Sequence, residues 1–253
     1  MDLLDNHLES ISALFPAYND APTIGGLVEK TFHLLKASGR DFEIIIVDDG
    51  SVDQTPQVLQ QLQAHYGNVL RAIRHPVNRG YGAALRSGFA AATKELVFYT
   101  DGDAQYDPAE LPLLLDRLTP SIGLVNGYKI KRQDPLYRIV VGKTYNAFVR
   151  IVFQIGVRDV DCDFRLIRRE LLEKARLESD SGVICVEIID KLQRLGCKVA
   201  EVPVHHYPRT AGRSQFFRFR AVVETLIQLV HFFFRKSAAV RSLPGEVPET
   251  TSK

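Results

Sequence analysis

The sequence predicts an α/β protein built around an open, mostly parallel sheet. The run FEIIIVDDG is apolar without interruption until its two aspartates, which is typical of a strand buried on both faces of a parallel sheet. Strand and helix patterns alternate over short connections through the first half of the chain, which is typical of an open α/β sheet. A length of 253 residues with 45% hydrophobic content is sufficient for one large domain with a substantial core.

The elements of the first half follow from apolar periodicity and from turn residues. A continuous apolar run predicts a strand, and apolar residues on one face predict a helix. In order, we expect a strand at residues 11–15 stopped by Pro16, a helix with Ile24, Leu27, Val28, Leu34 and Leu35 on its apolar face, the strand FEIIIV, a helix at residues 54–66, the strand VLRAI, the helix GAALRSGFAAAT and the strand ELVFYT. Pro108 suits the first turn of the next helix.

The regular alternation of strand and helix patterns ends at about residue 120. There we expect a strand at IGLVNGYK, a long helix at residues 136–155, a strand that becomes a helix in DVDCDFRLIRREL, the helix GVICVEIIDKLQRLG with Gly196 as its stop, and the strand KVAEVPVHHY. The predicted organisation is one main α/β domain over residues 8–217, an amphipathic helix over 218–236 and a flexible tail over 237–253.

Composition excludes several classes of protein. The formal charge of +2 gives no general affinity for nucleic acid, so any anion binding must come from a local patch. Cys162, Cys185 and Cys197 have no metal-binding spacing and are expected to be free thiols in a reducing compartment. The acidic N-terminus predicts no secretory signal. The most apolar helical stretch, residues 221–234, is shorter than the roughly 20 residues that span a bilayer.

Acidic side chains follow three of the predicted strands. They are Asp20, the pair Asp48 and Asp49, and the pair Asp101 and Asp103. Ligands of open α/β sheets bind beyond the carboxyl ends of the strands, so these acids are expected at one edge. A single loop acid is more often solvated surface, but three groups at one edge favour a site whose repulsion is offset by a cation or a polar ligand.

The turn TDGDAQYDP is the sharpest of these features. Asp101 and Asp103 are two residues apart and can reach one hard cation, and Gln105 can add an oxygen ligand. Mg²⁺ and Mn²⁺ typically take one or two carboxylates, with phosphate oxygens and waters completing the shell. Gly102 would let the backbone approach phosphates closely. Asp107 is assigned instead to capping the helix that begins at Pro108.

The segment NRGYGAALRSG resembles a dinucleotide fingerprint only superficially. Gly80 and Gly82 fit the pattern, but Leu85 stands where the third glycine belongs, and the segment follows the third strand rather than the first. A glycine-initiated helix packed near the ligand edge is the better interpretation.

The motifs PAYND, IIIVDDGSVDQT, NRGYGAAL, TDGDAQYDP and DCDFRLIRREL occur in this order. In order and spacing they resemble family 2 glycosyltransferases with the GT-A fold, a three-layer α/β/α open sheet. The resemblance covers roughly residues 11–217 and is closest to polyprenyl-phosphate sugar transferases of the dolichyl-phosphate mannosyltransferase type. It implies a nucleoside diphosphate sugar as donor, a polyprenyl phosphate as acceptor and Mg²⁺ or Mn²⁺ as cofactor.

The resemblance also assigns roles to residues. Nucleotide-sugar binding is implied for Pro16, Tyr18, Asp20, Asp48, Asp49, Asp101, Arg213 and Ser214, metal binding for Asp101, Asp103 and Gln105, and catalysis for Asp103, Arg138 and Arg209. The family often has Glu at the position of Asp20, and it usually has Lys at Gln215, where Arg213 would supply the charge. Arg138 and Arg209 would hold acceptor or donor phosphates, since guanidinium binds phosphate in a fork.

Alternatives remain at this stage. A sugar or glycan hydroxyl acceptor would need a carboxylate base, for which Asp161 and Asp163 are candidates unless they form ion pairs with Arg165 or Arg168. A sugar-1-phosphate nucleotidyltransferase would need a glycine-rich loop that PAYND lacks. A non-catalytic nucleotide-sugar binding module is the alternative of another class, although the intact Asp101, Asp103 and Gln105 set argues against it.

Membrane contact is expected at the C-terminal helix. FFRFRAVVETLIQLVHFFFRK combines an apolar stripe with a basic, aromatic rim, which is typical of a helix lying in the headgroup region. A core helix or a dimer contact is the alternative. We therefore expect a cytoplasmic protein peripheral at the cytoplasmic face of the membrane, alone or with an anchoring partner.

Overall fold

The computed structural model describes residues 8–130, 136–209 and 227–234, and the side chains of residues 136–139 fall outside this description. The chain divides into two compact units, residues 1–213 and 214–253. The strands are β1 Ile11–Ala17, β2 Phe42–Asp48, β3 Leu70–Arg74, β4 Leu96–Thr100, β5 Ile122–Ile130, β6 Phe164–Arg168 and β7 Lys198–His205. The helices are α1 Ala21–Ala37, α2 Thr55–Tyr66, α3 Tyr81–Ala91, α4 Leu111–Leu115, α5 Leu136–Phe153, α6 Arg169–Ala175 and α7 Ile184–Arg194.

The strands form one sheet in the order β3-β2-β1-β4-β6-β5-β7. β6 pairs antiparallel with both neighbours, and the other pairings are parallel. The predicted open α/β sheet is therefore confirmed. Because Thr100 at the end of β4 pairs with Phe164 at the start of β6, residues that follow β4 lie beside residues that precede β6. This pairing brings a further loop to the predicted ligand edge.

The core confirms the predicted buried strands. Every residue of β1 and β4 is buried, and so are the last five residues of β2. α1 covers the sheet with Ile24, Leu27, Val28 and Leu35, whereas Leu34 is only half-buried. Continuous burial on both faces explains why these strands carry apolar runs rather than alternating residues.

The prediction that Pro16 ends the first strand is wrong. β1 continues to Ala17, and Pro16 pairs in register with Val47 of β2. The Pro16 carbonyl oxygen accepts a hydrogen bond from Gly102 N, so this residue's backbone faces the β4 side. Pairing of β1 with β4 has already ended there, at Leu14 and Tyr99. The missing N–H therefore lies where the ladder needs no donor.

Two helix boundaries also differ from the expected ones. α5 ends at Phe153 rather than at residue 155, because Gln154 adopts a left-handed conformation with φ 56°. Pro108 begins a 3-10 turn, Pro108–Glu110, that precedes the short helix α4. Asp107 caps that turn by accepting a hydrogen bond from Ala109 N at 3.1 Å, which confirms its predicted capping role.

Residues 227–234 of the second unit are helical. Leu229 and Phe232 are buried there, whereas Ile227, Val230 and Phe234 are exposed. The remainder of the helix predicted over 218–236 and the tail predicted over 237–253 lie outside the described residues, so these domain limits stay predictions. Within the described ranges, no helix combines the length and hydropathy that a bilayer crossing requires. Cys162, Cys185 and Cys197 are free thiols, as predicted.

Candidate functional site

The turn after β4 places Asp103 in a buried position with both carboxylate oxygens engaged. Its Oδ1 accepts a hydrogen bond from Gln105 N at 3.0 Å, and its Oδ2 forms an ion pair with Arg209 Nη2. Ala104 adopts a positive φ of 57°, which bends the chain back so that Gln105 N can reach this carboxylate. Burial raises the pKa of Asp103, and the Arg209 charge opposes that shift. Arg209, to which the family resemblance assigns a catalytic role, is thus brought to the predicted metal carboxylate.

Asp101 lies beside Asp103 and has a different partner. Its Oδ1 accepts a hydrogen bond at 2.7 Å from the hydroxyl of Tyr81, the first residue of α3. Burial raises the pKa of Asp101 well above its usual range, and the charges of Asp163 and Asp103 add to the rise. The hydroxyl of Tyr81 lowers it in part, so this tyrosine favours the charged carboxylate.

Asp20, at the end of β1, reaches the same region. Its Oδ2 accepts a hydrogen bond from Tyr18 N at 2.9 Å. A Cβ atom at Gly102 would lie 2.9 Å from the Pro16 carbonyl oxygen and 3.1 Å from Asp20 Oδ2, so only glycine lets the two strand ends meet this closely. The pKa of Asp20 is raised to about 6, chiefly by burial and also by the charge of Asp103, while the Tyr18 N–H and Arg209 oppose the shift.

The loop before β6 contributes the acids proposed as base candidates. Asp163 Oδ1 accepts a weak hydrogen bond from Cys185 Sγ at 3.2 Å. Burial raises the pKa of Asp161 to about 7, although Lys129 opposes that shift. The two arginines weighed as ion-pair partners are engaged elsewhere. Arg168 pairs with Glu9, and the buried Arg165 donates to the Tyr99 hydroxyl at 2.8 Å and to the Cys162 carbonyl oxygen at 3.1 Å.

The electrostatics of this cluster favour a cation. The charge of Asp103 raises the pKa of Asp20, the charges of Asp163, Asp103 and Asp20 raise that of Asp101, and the charge of Asp163 raises that of Asp103. The Arg209 charge lowers the pKa values of Asp20 and Asp103. Among the residues that the structure describes, no three His, Cys, Asp or Glu side chains are grouped closely enough to bind a metal ion by themselves. Two hard carboxylates therefore fit a Mg²⁺ or Mn²⁺ ion whose shell is completed by waters or by a ligand such as a diphosphate.

Gln105 connects this turn to the segment after β7. Its carbonyl oxygen accepts a hydrogen bond from Tyr207 N at 2.8 Å, and its side-chain amide donates to the Tyr207 carbonyl oxygen at 3.1 Å. The rings of Tyr106 and His206 are in edge contact, with centroids 5.2 Å apart. These contacts hold the 205–209 segment along the turn after β4 and so deliver Arg209 to Asp103. The prediction that Gln105 is a metal ligand stays a prediction.

The two aspartates at the end of β2 have different partners. Asp49 is buried and accepts hydrogen bonds from Arg79 N at 2.9 Å and Gly80 N at 2.8 Å, and its Oδ1 lies 2.7 Å from His75 Nδ1. Asp48 Oδ1 accepts a hydrogen bond from Ser51 N at 2.8 Å, and its buried Oδ2 lies 3.3 Å from Arg74 Nε in an ion pair. Asp49 therefore holds the loop that leads into α3, and Asp48 is paired with the end of β3.

The remaining predicted residues stand as follows. Pro16 is buried within β1, and Tyr18 is half-buried at its end. The side chain of Arg138, in the first turn of α5, falls outside the described part of the chain, as do Arg213 and Ser214. Their proposed contacts with phosphates stay predictions.

The glycines of NRGYGAALRSG allow close packing. A Cβ atom at Gly80 would lie 2.4 Å from the Asp180 carbonyl oxygen, and one at Gly82 would lie 2.3 Å from that of Ser179. Gly80 also has a φ of 101°, which glycine adopts readily. The start of α3 therefore lies directly against residues 179–181, and the motif positions Tyr81 rather than forming a dinucleotide loop.

Tyr81 and Cys185 are functional candidates that sequence reasoning missed. Tyr81 stands in the quoted NRGYGAAL motif, directly after Gly80, and an aromatic residue at the first position of a ligand-edge helix is the signal that could have identified it. Cys185 is visible only through the fold, because α7 brings it to Asp163 from another part of the chain.

Replacing Tyr81 by phenylalanine is expected to weaken Mn²⁺ binding in the presence of a nucleoside diphosphate by roughly 10-fold or more, as for other partners of metal ligands. The change removes the donor to Asp101 Oδ1 in a partly buried setting. Calorimetric titration of Mn²⁺ into protein saturated with nucleoside diphosphate measures the affinity. Tyr99→Phe is the control, since it also removes a tyrosine hydroxyl, but one that accepts a hydrogen bond from Arg165 and does not contact Asp101. Equal affinity of the Tyr81 variant and wild type would contradict this role.

Thermal stability of the metal-free protein is expected to fall as pH rises from about 5 to about 8. Asp20 and Asp161 have pKa values raised to about 6 and about 7, so the folded state retains protons that the unfolded state has released. Stability from this source is complete at low pH and is lost as pH passes through the folded-state values. Unfolding midpoints across this range measure the slope. Asp20→Asn should flatten it, and an unchanged slope would contradict the assignment.

Comparisons with known proteins agree with this architecture. Residues 12–176 match the family model described as glycosyl transferase family 2. Glucosyl-3-phosphoglycerate synthase from Mycobacterium tuberculosis, in complex with Mn²⁺, uridine diphosphate and glucosyl-3-phosphoglycerate, is 23% identical, with a TM-score of 0.63 over 81% of this chain and 73% of that one. The same enzyme with Mn²⁺ and uridine-diphosphate-glucose is 23% identical, with a TM-score of 0.63 over 82% and 73%.

Mannosyl-3-phosphoglycerate synthase from Rubrobacter xylanophilus is 20% identical, with a TM-score of 0.67 over 96% of this chain and 78% of that one. These structural likenesses confirm the predicted GT-A fold.

Proposed function

We propose that this chain, which belongs to glycosyl transferase family 2, is an inverting, metal-dependent enzyme. It would transfer a hexose from a nucleoside diphosphate sugar to a polyprenyl phosphate. The observation that carries this proposal is the ion pair of Arg209 with Asp103 inside a cluster of carboxylates. It places a guanidinium beside the carboxylate that would face a diphosphate, and guanidinium binds phosphate groups in a fork.

The donor half of the site is argued from the described carboxylates. Asp101 and Asp103 would hold Mg²⁺ or Mn²⁺, with Gln105 as a further oxygen ligand. The ion would supply charge neutralisation for the leaving nucleoside diphosphate. Asp48, paired with Arg74 at the end of β2, would bind the nucleoside.

Further nucleotide-sugar contacts are proposed for Pro16, Tyr18, Asp20, Asp49, Arg213 and Ser214. Solved structures of the same fold in complex with uridine diphosphate and Mn²⁺ or Mg²⁺ support this donor and cofactor class.

The acceptor half follows from proton chemistry. A phosphate monoester has a second pKa near 6 and is already a charged nucleophile at neutral pH, so it needs cations rather than a base. Its oxygen attacks the anomeric carbon, a new C–O bond forms, and the bond to the diphosphate breaks with its electron pair remaining on the nucleoside diphosphate. Arg209, released from Asp103, and Arg138 would hold the phosphates.

A hydroxyl acceptor is the second candidate, and one observation favours it. Asp161 has a pKa of about 7, which suits a general base at neutral pH. The similar structures in complex with phosphoglyceric acid extend the range of acceptors to test to small phosphorylated molecules.

We also propose a cytoplasmic location with peripheral contact at the cytoplasmic face of the membrane, through residues 218–236 or an anchoring partner. This contact would give the site access to a lipid acceptor.

The deciding experiment supplies GDP-mannose, UDP-glucose or UDP-N-acetylglucosamine with Mn²⁺ or Mg²⁺ and offers a short polyprenyl phosphate, phosphoglyceric acid or no acceptor. Products are identified by mass. A sugar-phospho-lipid product supports the proposal, and a glycosylated phosphoglyceric acid supports the hydroxyl acceptor. Donor binding without turnover under every condition would indicate a non-catalytic nucleotide-sugar binding module.

A further inference from the structure

The outward side of α5 is apolar and exposed. Val140, Thr144, Ala147 and Ile151 are spaced four, three and four residues apart, so they line one stripe of the helix, and all four are exposed. Ile151 retains 78% of its accessible surface and Val140 62%, which is unusual for branched aliphatic residues in a folded domain. Val141 and Phe148 widen the stripe on one side. We call these six residues the α5 outer face.

The polar atom within this face is already satisfied. The Thr144 hydroxyl donates to the Val140 carbonyl oxygen at 3.0 Å, so the side chain turns its hydroxyl toward the backbone. The face therefore presents mainly hydrocarbon to its surroundings. A contiguous apolar face of this kind marks a contact surface more often than isolated exposed residues do.

Charge distribution indicates what the face contacts. Lys143 and Arg150 are exposed and, seven residues apart, lie together along one edge of the outer face. The whole helix, LYRIVVGKTYNAFVRIVF, contains no acidic residue. An apolar stripe with a basic edge is complementary to the hydrocarbon boundary and headgroups of an anionic lipid surface.

The inward side of α5 is tied to the candidate site. Val149 and Phe153 are buried, and Asn146 donates to Asp159 Oδ1 at 3.2 Å while its Oδ1 accepts from Val160 N at 2.7 Å. Residues 159–163 form the loop that carries Asp161 and Asp163. The same helix therefore exposes apolar surface outward and fixes a ligand-edge loop inward.

We infer that the α5 outer face docks on an anionic lipid surface, with its apolar residues at the acyl boundary and with Lys143 and Arg150 at the headgroups. This contact is separate from the one proposed for residues 218–236. The contact would bring the acceptor side of the site to the membrane, and this consequence rests on the proposed function with a lipid acceptor. Docking itself requires no acceptor and is measured without one.

The test is co-sedimentation of the full chain with vesicles of phosphatidylcholine, with and without phosphatidylglycerol. Phe148→Ser with Ile151→Ser is expected to reduce partitioning onto the anionic vesicles by roughly 10-fold or more, since it removes apolar area that would be buried. Lys143→Gln with Arg150→Gln should reduce it about fivefold for each charge and make it less sensitive to salt. Leu195→Ser, a similarly exposed apolar residue at the end of α7, is the matched control and should partition as wild type.

Other outcomes would overturn the inference. Wild-type partitioning by both α5 double variants would assign membrane contact to another segment, and no binding of the wild type would remove it altogether. Loss of self-association in the Phe148 and Ile151 variant, measured by sedimentation without vesicles, would identify a second copy as the occupant. Transfer to a short, water-soluble polyprenyl phosphate should survive these substitutions, so a failure of docking and a failure of the proposed acceptor are distinguishable.

Discussion

Replacing Asp103 by alanine is expected to lower metal-dependent donor turnover by about 10³-fold or more. Asp103 is the carboxylate at which the turn after β4 and the 205–209 segment meet, and it is the residue proposed to hold the cation against the leaving diphosphate. Without it, the cation that would neutralise the leaving group loses a carboxylate ligand, and Arg209 alone would face the developing charge. Single-turnover kinetics with a nucleoside diphosphate sugar and Mn²⁺ measure the loss.

The fold is expected to survive this substitution. Asp103 lies among carboxylates whose repulsion raises their pKa values, so its removal relieves repulsion while it leaves Arg209 without its partner. The unfolding midpoint should therefore change little. Asp107→Ala is the matched control, because it removes a carboxylate four residues away that caps a turn and pairs with the exposed Lys30.

The control should lose about 1 kcal/mol of stability and keep its turnover. A rate for Asp103→Ala within a few-fold of wild type would remove the metal assignment.

Much of this site could be predicted because it follows elements with strong sequence signals. β1, β2 and β4 are uninterrupted apolar runs buried on both faces, and their ends fixed the expected positions of Asp20, Asp48 and Asp103. Parallel strands with carboxyl ends at one edge bring such residues together without further information.

The rest of the site depends on strand pairings and contacts between distant segments, which no local sequence pattern encodes. The charge of Asp163 raises the pKa of Asp101 because β6 pairs antiparallel with β4, which brings the start of β6 to the end of β4. The residues around Asp163 in the sequence do not indicate the direction of this strand. Tyr81 reaches Asp101 from the start of α3, and Cys185 reaches Asp163 from α7. Pro16 shows the opposite case, in which a strong local signal to end a strand is overridden because the missing N–H lies beyond the paired part of β4.

Replacing Arg209 by alanine is expected to affect two measurements in opposite directions. Turnover of the donor should fall by roughly 10²-fold or more, because a preorganised cation at the phosphates is lost. Binding of Mn²⁺ alone should tighten several-fold, since the guanidinium that competes for Asp103 Oδ2 is removed. Rapid kinetics measure the first effect, and the paramagnetic signal of free Mn²⁺ measures the second.

The opposite signs separate a phosphate-binding role from a structural one. An Arg209 that only fixed the 205–209 segment would lose turnover while metal binding weakened or stayed constant, because Asp103 would become less ordered. Arg209→Lys should restore part of the turnover, since a lysine keeps the charge but not the fork. Arg71→Ala, which breaks an exposed pairing with Glu43, is the matched control and should change neither quantity.

Unchanged turnover in Arg209→Ala would exclude Arg209 from the site. It would also remove the observation on which the proposed phosphate acceptor rests. In that case Asp161, with its pKa of about 7, would become the residue to test first, because a hydroxyl acceptor needs a base where a phosphate acceptor needs a cation. The rate of Asp161→Asn with phosphoglyceric acid as acceptor would then decide between the two chemistries.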